Sequence, residues 1–576
     1  MQNSKMKKAF TVSYSLYYDL RKMIIRIREN PSQKSKIMID SSVMKQLRNI
    51  PIGIQSFETM REGSYVYVDK TGYIPSLEKL GCVYFLSRPR RFGKSLFLST
   101  LKAYFEGRRE LFKGLKIERI KEENGSEWEE VPVLHLDLSG KTYKEKDELQ
   151  EVLNANIEKW KKQFDISFPA YSPELAFEYI IQELHHVTQK QVVVLVDEYD
   201  APLLSSLKND ELSEHYRALL KGFYTVLKKS NEHIKLAFLT GVTKFASVTI
   251  FSGLNNLYDI SLSDEYAELC GITEKEMIDN FSPEIMELAS KQNTTFGEMI
   301  DLLKKEYDGY HFSKSGRGIY NPFSLCNALA TKDISAYWFG TGTPTFLVDL
   351  LEKHNFDIPI LDDGAIVRRA EELRDYRAIG DDIIPLLFQS GYLTIKGYKP
   401  KFNMYTLGFP NNEVRYAFLQ ELIAKYTKGA TARDSTFSLY NFTILMEKGN
   451  IEEVLERLKA LFASIPYDSF RGDEKIVMRE YNVQMIIYLL FRLMGQYLVS
   501  AEVHSSRGRS DVEVETENAI YIFEFKTQAT ADEALEQIEK QGYHEKHGAS
   551  GKRIVLIGTS IQEDGRNIGE WKIKKA

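Results

Sequence analysis

Cysteine is scarce in this sequence, and the cysteines present are far apart. The 576 residues include 3 cysteines, Cys82, Cys270 and Cys326, with no C-x-x-C pair and no Cys/His metal spacing. This spacing rules out a zinc ribbon and fits a reducing compartment. We therefore expect a cytoplasmic protein.

The sequence also lacks long apolar runs and an excess of positive charge. The longest candidate membrane stretch, residues 485–494, is interrupted by Arg492, whereas a membrane span needs about 18 apolar residues or more. We therefore expect no membrane segment. A net charge of −5 excludes a uniformly basic nucleic-acid coat but leaves room for a local basic groove. The composition, 43% apolar and 27% charged, is that of a globular chain with about three or four domains.

A strand, a loop and a helix are predicted in residues 82–107. The run at 83–86 is apolar, β-branched and aromatic, and it ends at the sequence Ser-Arg-Pro. Apolar side chains then recur at helical spacing before Gly107, at Phe97, Leu98, Leu101, Tyr104 and Phe105. This change of period predicts a strand that leads through a loop into an amphipathic helix.

The loop carries the second half of a phosphate-binding pattern. Gly93, Lys94 and Ser95 match the end of G-x-x-x-x-G-K-[ST], in which backbone N–H groups and the lysine bind phosphates and the hydroxyl ligates Mg²⁺. The first glycine is missing: Arg88 occupies its position, and the loop carries three extra cations. The alternative interpretation is a solvated basic turn. The residues expected to bind ATP here are Arg90, Arg91, Phe92, Gly93, Lys94 and Ser95, with Ser95 also a metal ligand.

A second apolar run, residues 191–196, ends in the acidic pair Asp197 and Glu198. A run that is apolar on both faces is typical of a central parallel strand, and ligands bind at the carboxyl ends of such strands. We therefore expect Asp197 to lie beside the phosphate loop as a Mg²⁺ ligand and Glu198 to polarise the attacking water. The alternative is a solvated acidic turn that Asp200 continues.

Further strands are predicted at residues 131–139 and 236–240, and another at 65–69 that leads through a polar turn into a helix. A polar residue at the end of a neighbouring strand can contact the terminal phosphate. Thr240 and Thr243 are therefore candidate sensors and are included among the expected ATP-binding residues.

The remaining chain divides into regions of different pattern. Residues 276–470 alternate amphipathic helices with short strands, which predicts a mostly helical region with a winged-helix-like part; its aromatic clusters at 320–323 and 337–339 are expected to pack rather than to stack on nucleic acid. The expected domains are a basic extension, 1–48, a nucleotide-binding domain, 49–275, the helical region, 276–470, and a C-terminal domain, 471–576.

A hairpin with buried charges is predicted near the C-terminus. Residues 510–515 and 519–526 are the two strands, with a turn at 516–518. Glu524 and Lys526 share one face with isoleucines, while aromatic residues occupy the other face. Since burying unpaired charges is costly, we expect the pair to hold a metal and to balance each other. With Asp511 they form D-x₁₂-E-x-K, in which Asp511 and Glu524 bind Mg²⁺ or Mn²⁺ and the lysine acts on the water that hydrolyses a phosphodiester.

Two further residues are candidates for this catalytic site. Gln537 flanks the apolar face of the next helix, which opens with a capping box, and can support the site. Glu480, which is expected to begin an upstream helix, can supply another acid. The alternatives are a structural ion pair for Glu524 and Lys526 and a solvated helix end for Glu480.

Both constellations together resemble a known family: bacterial proteins with an N-terminal AAA-ATPase-like domain and a C-terminal PD-(D/E)XK nuclease-superfamily domain. The resemblance extends over most of the chain from Pro51 onward. It rests on the stretches PIGIQSFETMREGSYVYVDKT, YFLSRPRRFGKSLFLSTLKAYFEG, VVVLVDEYDAPL, FLTGVTKF, IFSGLNNLYDIS, YNPFSL, GTGTPTFL, YTLGFPNNEVR, SSRGRSDVEVE and YIFEFK.

The resemblance implies an α/β chain with a P-loop parallel sheet in the first half and a restriction-endonuclease-like domain at the end. It identifies Arg-Pro-Arg-Arg as the family's own form of the phosphate loop. In the superfamily pattern Asp511, Glu524 and Lys526 are intact, and Gln537 stands where the site is commonly completed. In such a fold the strands are expected to splay at Asp511, leaving it near Glu524 but not directly opposite. Because the resemblance starts at Pro51, we expect translation to begin at Met44.

The expected function is ATP hydrolysis coupled to metal-dependent cleavage of nucleic acid, with DNA expected rather than RNA. An alternative is a nucleotide-dependent switch whose C-terminal domain binds nucleic acid or protein without cleaving it. A third interpretation is an ATPase that barely turns over until a partner or a homo-oligomer completes its site, since the sequence identifies no arginine finger.

Overall fold

Residues Asn49–Ala576 form one compact unit. The computed structural model describes residues 49–79, 83–245, 251, 256–314, 316–338, 361, 364, 366–374, 382–426, 435–464, 476–495, 500–506, 509–527, 529–542, 544–548, 550–562 and 567–575. The expected basic extension and the expected start at Met44 lie outside these residues. In the described part, no helix is both long and apolar enough to cross a membrane.

A five-stranded parallel sheet forms the centre of the N-terminal region. Its strands are β1 (Val83–Ser87), β2 (Val133–Asp137), β3 (Val192–Asp197), β4 (Ile234–Gly241) and β5 (Leu257–Asp259). They are arranged in the order β2-β3-β4-β1-β5. Every residue of β1 and β3 is buried, as expected where helices cover both faces. The strands predicted around residues 83, 131, 191 and 236 are confirmed, whereas β5 was not predicted.

Eight helices accompany this sheet. They are α1 (Phe57–Glu62), α2 (Ile74–Lys79), α3 (Lys94–Phe105), α4 (Lys116–Asn124), α5 (Glu148–Phe164), α6 (Pro173–Thr188), α7 (Ala201–Ser205) and α8 (Asp210–Lys229). Helix α3 buries the five apolar residues that predicted it. The predicted loop between β1 and α3 is confirmed as well.

The strand predicted at residues 65–69 is wrong. This segment forms one isolated bridge, between Asn49 and Tyr65, and otherwise lies outside the sheets. Its polar end makes a different connection: the Asp69 carboxylate accepts the N–H groups of Thr71, at 2.9 Å, and Lys116, at 2.7 Å. The segment is therefore held by a side chain bonded to the start of α4 and not by a β-ladder.

A group of helices after the sheet has a small apolar core of its own, which Val66 joins. The elements are β6 (Ile272–Thr273), α9 (Glu274–Lys291), α10 (Phe296–Tyr307), β7 (Ile319–Tyr320) and α11 (Pro322–Thr331). Capping boxes start both α9 and α10, at Thr273 and Thr295, so their first turns are well defined.

A three-stranded antiparallel sheet follows, in the part of the chain where the winged-helix-like piece was expected. Its strands, in the order β8-β10-β9, are β8 (Ile366–Arg369), β9 (Thr394–Lys399) and β10 (Met404–Gly408). The neighbouring helices are α12 (Ala370–Arg374), α13 (Ile384–Ser390), α14 (Asn412–Tyr426), α15 (Ser435–Lys448) and α16 (Ile451–Ser464). The predicted helical character of this region is confirmed.

The C-terminal region is a mixed sheet between two helices. It consists of α17 (Ile476–Met494), β11 (Ser500–Ser506), β12 (Arg509–Glu515), β13 (Ala519–Thr527), α18 (Ala531–Gln541), β14 (Arg553–Ile561) and β15 (Ile568–Lys575), with the strands in chain order. Strands β13 and β14 are parallel, and the other neighbours are antiparallel. Helix α17 packs on β11 and β12, and α18 packs on β13, β14 and β15.

Candidate active sites

The phosphate loop joins the end of β1 to the start of α3. Gly93 caps the helix with a left-handed backbone, φ 91°, a conformation that favours glycine. The Lys94 ammonium is buried and donates to the carbonyls of Arg88, at 2.9 Å, and Pro89, at 3.1 Å. Ser95 follows and lines the adjacent cavity. The predicted loop residues therefore lie together at a helix N-terminus, the usual place for a bound phosphate.

Arg88 is not one of the free cations expected in this loop. Its side chain is 1% exposed, and its guanidinium donates to the carbonyls of Ser87, Ser261 and Tyr266 at 2.8–3.1 Å. It also lies 4.2 Å above the ring of Phe312. Burial lowers the pKa of Arg88 to about 10. The guanidinium therefore fixes the loop, and the expectation of three extra cations is corrected to two, Arg90 and Arg91.

The rest of the loop contacts the helices that follow the sheet. Arg90 and Arg91 are exposed, and the Arg91 guanidinium lies 4.9 Å over the ring of Phe323. Phe92 is buried and packs edge-on against Tyr310 and Phe312. Phe92 therefore anchors the loop through an apolar contact.

A cavity of about 690 Å³ opens in front of the loop, a size that suits a nucleotide-sized ligand. Three parts of the chain form its walls. The loop supplies Arg90 to Ser95, the ends of β2, β3 and β4 supply polar residues, and the segment before α1 together with α9 and α11 supplies apolar ones. The polar residues include Ser139, Lys141, Glu198, Asp200 and Thr243.

Asp197 is one strand further from the phosphate loop than expected, because β4 lies between β1 and β3. Its carboxylate accepts the Thr240 hydroxyl, at 2.7 Å, and the N–H of Glu198, at 3.0 Å. Thr240 is thus committed to Asp197, while Thr243 lines the cavity. Of the two candidate sensors, Thr243 has the geometry to meet a ligand.

Glu198 lines the cavity in a strained backbone conformation. Its φ is 48°, and a left-handed conformation costs a non-glycine residue roughly 1–3 kcal/mol. The carboxylate of Asp197 holds it there by accepting its N–H. Strain that is maintained in this way is common at functional positions, which agrees with the predicted role of Glu198.

The cavity is also lined by residues that were not among the predicted site residues, and four of them are Asp200, Lys70, Cys270 and Trp338. Asp200 is 1% exposed, so its interpretation as part of a solvated acidic turn is wrong. Lys70 is buried against both carboxylate oxygens of Glu276, at 2.7 and 2.8 Å, and burial lowers its pKa. Cys270 is buried too, and burial raises its pKa. Trp338 packs against Tyr392, at 5.4 Å, as expected of an aromatic cluster. No spacing in the sequence predicts that these residues line the cavity, because three of them are distant in sequence from the phosphate loop.

The second site lies on β12 and β13, whose predicted hairpin is confirmed. Asp511 and Glu524 are direct partners in the antiparallel ladder, so the expectation that they are not directly opposite is wrong. Ile520 and Ile522 pack with α18 residues in one apolar cluster, whereas Phe523 contacts Phe491 of α17 at 5.1 Å. The predicted alternation of the two faces is confirmed.

Glu524 is a fully buried carboxylate with an incomplete environment. It is 0% exposed, and neither oxygen has a hydrogen-bond partner among the described residues. The Lys526 ammonium lies 4.0 Å from its Oε1 and also donates to Gln537 Oε1. Burying a carboxylate without a partner costs free energy. The arrangement therefore fits a bound cation, to which Glu524 supplies hard oxygen ligands. The predicted contact of Gln537 with the site is present.

A close approach between α18 and β14 permits this contact. Gly558 is the partner of Glu524 on β14. A Cβ atom at Gly558 would lie 2.4 Å from the carbonyl oxygen of Ala531 and 2.6 Å from the nitrogen of Leu535. The missing side chain therefore lets the start of α18 lie against the strand, which brings Gln537 to Lys526.

The side chains of two predicted residues lie outside the described ones. Asp511 is described only by its backbone register, and Glu480 only by its place in α17, which starts four residues earlier, at Ile476. Among the described side chains, no group of three or more His, Cys, Asp or Glu residues is arranged to hold a metal. The proposed ligand pair of Asp511 and Glu524 therefore rests on the register and on the environment of Glu524.

Comparison with known proteins assigns both ends of the described chain to families. Residues 51–251 match the family described as "Predicted AAA-ATPase", and residues 478–571 match the PD-(D/E)XK nuclease superfamily. The chain is also similar to the "Uncharacterized protein in vnfD 5'region" of Azotobacter chroococcum mcd 1. The two are 36% identical over 536 residues, which cover 90% of this chain and 98% of the relative.

The fold and the two matches define a class of protein in which an AAA-ATPase-like domain and a PD-(D/E)XK superfamily domain share one chain. The chain belongs to this family, together with the Azotobacter relative. The sequence resemblance and the α/β fold class are thereby confirmed.

We predict that Arg88→Met weakens both the fold and ATP binding. Methionine retains much of the volume but removes every donor, so the buried carbonyl of Tyr266 loses its partner, at a cost of roughly 1–3 kcal/mol. Calorimetric unfolding of the full chain and ATP titration measure the two effects. Arg109→Met, at an exposed position, is the control. Equal unfolding temperatures for the two variants would contradict the structural role of Arg88.

Proposed function

We propose that this chain binds and hydrolyses ATP in the cavity at the carboxyl edge of its parallel sheet, and that its C-terminal domain cleaves nucleic acid, DNA rather than RNA, with a divalent metal. The observation that carries the first part is the convergence of a Gly-Lys-Ser helix start and the strained Glu198 on one cavity of about 690 Å³. The second part is supported by Glu524, whose buried carboxylate oxygens have no hydrogen-bond partner among the described residues.

Lys94 is the residue that responds to the phosphates. Its ammonium is now bonded to two loop carbonyls, Arg88 and Pro89, and an incoming phosphate competes for it. The N–H groups at the start of α3 and the positive end of the helix dipole favour the same anion. Binding thus exchanges neutral acceptors for a charged one, which strengthens the hydrogen bonds of Lys94.

Glu198 acts on the water that attacks the terminal phosphate. The residue lines the cavity, and its backbone is held by Asp197, so the carboxylate can orient a water molecule and accept its proton. Ser95 and Asp197 are the residues that would hold Mg²⁺, although β4 lies between the strand that ends in Asp197 and the strand that leads into the phosphate loop. When bound, the ion neutralises charge on the phosphates.

We predict that Lys94→Ala abolishes ATP binding and that Glu198→Gln binds ATP but hydrolyses it at least about 10²-fold more slowly, since the amide cannot accept the proton. Titration with a fluorescent ATP analogue measures binding, and phosphate release measures turnover. Lys113→Ala, at an exposed position, serves as the control. Equal turnover in the wild type and both variants would refute this assignment.

In the C-terminal domain, Asp511 and Glu524 would hold the divalent metal. The bound ion supplies Lewis-acid stabilisation of the phosphodiester and lowers the pKa of a bound water. Lys526, kept in place by Gln537 and by its proximity to Glu524, orients the attacking water. Glu480 remains a candidate further acid.

We predict that Asp511→Ala and Glu524→Ala lose metal binding and cleavage together, whereas Lys526→Ala keeps the metal and loses cleavage. The first two changes remove hard oxygen ligands, and the third removes a cation beside the water. Mn²⁺ calorimetry and cleavage of labelled DNA and RNA, with and without ATP, separate these outcomes. Glu570→Ala, an exposed acid on β15, is the control.

Unchanged metal affinity in both acid variants would show that the metal site is elsewhere. ATP binding without cleavage in any combination of ATP, Mg²⁺ and Mn²⁺ would favour the alternative function, a nucleotide-dependent switch that binds nucleic acid or protein through its C-terminal domain.

A continuous set of contacts supports coupling between the two sites. The Trp338 indole donates to the carbonyl of Arg90 in the phosphate loop, at 3.0 Å. The backbone N–H of Trp338 donates to Glu413 Oε1, at 2.7 Å, which also accepts the Ser324 hydroxyl. Glu413 is 4% exposed and is the second residue of α14. Movement of the loop therefore has a direct connection to the start of α14.

Helix α14 extends this connection to the nuclease-like sheet. It packs against α17, and α17 packs against β11 and β12. Helices α14 and α17 and strand β12 contribute to one apolar core, and close-packed cores transmit displacement rather than absorb it. The exchange of partners by Lys94 supplies the two states that such a path needs.

We predict that Trp338→Phe keeps ATP binding but uncouples the two sites, because phenylalanine preserves the ring and lacks the indole N–H. Hydrogen exchange measures this without any need for cleavage: a non-hydrolysed ATP analogue changes protection in α14 and α17 of the wild type, and the variant loses that change. Trp128→Phe, a partly buried tryptophan packed on Phe112, is the control. Identical exchange responses in the wild type and Trp338→Phe would refute the path.

A further inference from the structure

The loop that follows β4, residues 242–245, is held by two consecutive residues that come shortly after β3. The side chains of Tyr199 and Asp200 both form hydrogen bonds with the backbone of this loop. The backbone N–H of Tyr199 also donates to the carbonyl of Thr240, at 3.0 Å. The end of β3 therefore determines the shape of the loop after β4.

The Asp200 carboxylate makes the first set of hydrogen bonds to this loop. Its carboxylate accepts the N–H of Val242, at 3.1 and 3.2 Å, and the N–H of Thr243, at 2.6 Å. Gly241 makes the approach possible, since a Cβ atom there would lie 2.5 Å from Asp200 Oδ1. A carboxylate that accepts backbone N–H groups in a buried setting forms strong bonds, so the loop has little freedom.

The Tyr199 hydroxyl makes the second set of hydrogen bonds to this loop. Its hydroxyl donates to the carbonyl of Thr243, at 2.8 Å, and accepts the N–H of Phe245, at 3.0 Å. The two backbone groups of Thr243 are thus bonded from opposite sides, its N–H by Asp200 and its carbonyl by Tyr199. With both fixed, the direction in which the Thr243 side chain leaves the backbone is fixed as well.

The Thr243 hydroxyl itself has no hydrogen-bond partner among the described residues. Thr243 is 0% exposed and lines the cavity together with Lys94 and Glu198. Leaving a buried hydroxyl unpaired costs free energy that a hydrogen bond to a ligand would recover. Such a group, held rigidly in a wall that also contains the phosphate-loop lysine, is suited to donate to an anionic ligand.

We propose that Asp200 is a positioning residue for ATP hydrolysis, which holds Thr243 so that its hydroxyl donates to the terminal phosphate of ATP. This proposal rests on the ATPase function proposed above and adds a residue to it. Asp200 acts through Thr243 alone: the donated hydrogen bond comes from the threonine, and the carboxylate fixes where that donor lies.

The charge of Asp200 agrees with this role. The pKa of Asp200 is raised to about 6, mainly by burial and also by the charge of Glu198, while the N–H of Thr243 and the Lys94 ammonium act to lower it. The groups that face it are Glu198, Lys94 of α3 and the hydroxyls of Tyr199 and Tyr224. The ionised form, which accepts both N–H groups, is thus the main form near neutral pH.

The test is a double-mutant cycle on the full chain with Asp200→Asn, Thr243→Val and the combination. If Asp200 acts through Thr243, each single change lowers kcat for ATP by about 10²-fold, and the double variant is no slower than Thr243→Val. The KM for ATP and the dissociation constant of an ATP analogue stay within about threefold. Thr243→Ser restores kcat because it returns the hydroxyl. Asp210→Asn, at an exposed acid in the first turn of α8, is the control.

Multiplied losses in the double variant would overturn the proposal, and so would a loss of ATP affinity in Asp200→Asn. If Asp200→Asn fails to fold, Gly241→Ala displaces the carboxylate by its Cβ atom without removing any donor; a kcat as high as wild type would then refute the role. A wild type without ATP turnover would refute the proposed ATPase and this inference with it, whereas normal wild-type turnover with independent losses would refute the positioning alone.

Discussion

The nucleotide half of this protein depends on the burial of one cation, Arg88, at the end of β1. A glycine at this position of the phosphate-binding pattern would allow a tight turn by lacking a side chain. Arg88 instead holds the turn by bonding to the carbonyls of Ser261 and Tyr266 and lying over Phe312. The loop is therefore tied to the segment after β5 and to the helical region, so its shape depends on parts of the chain that come almost 180 residues later.

The order of the parallel strands determines how the remaining site residues act. Since β4 separates β1 from β3, the Asp197 carboxylate bonds to Thr240 of the intervening strand, and the residues that follow β3 bond to the loop after β4. The same loop contacts the helical region, where Gln389 accepts the N–H of Lys244 at 2.8 Å. Gly391 lies so close to Pro89 that a Cβ atom would be 2.6 Å away. The helical region is thus in contact with both loops that face the cavity.

The features that the sequence could predict are those with a local cause. Continuous apolar runs predicted β1 and β3, alternation predicted the two faces of β13, and the Gly-Lys-Ser triplet predicted a helix start at a cavity. The failures concern the partner of a segment. Residues 65–69 have strand-like composition, yet no sheet edge is paired with them beyond Tyr65. The direct pairing of Asp511 with Glu524 depends on the register between β12 and β13. The burial of Arg88 and Asp200 depends on contacts with residues that are distant in sequence.

Three buried charges separate what is structural in this protein from what is left for a ligand. Arg88 donates to carbonyl groups through its two terminal nitrogens, and Asp200 accepts backbone N–H groups, so both hold the backbone in place. Glu524 is at least as deeply buried, and its two oxygens have no hydrogen-bond partner among the described residues, with a single ammonium 4.0 Å away. Because a carboxylate in such surroundings must gain either a proton or a cation, Glu524 is the position from which a metal ligand is inferred. At the other site, the Thr243 hydroxyl is also buried without a hydrogen-bond partner among the described residues. Because Thr243 lines the same cavity as Lys94 and Glu198, we infer that its missing partner is the ligand.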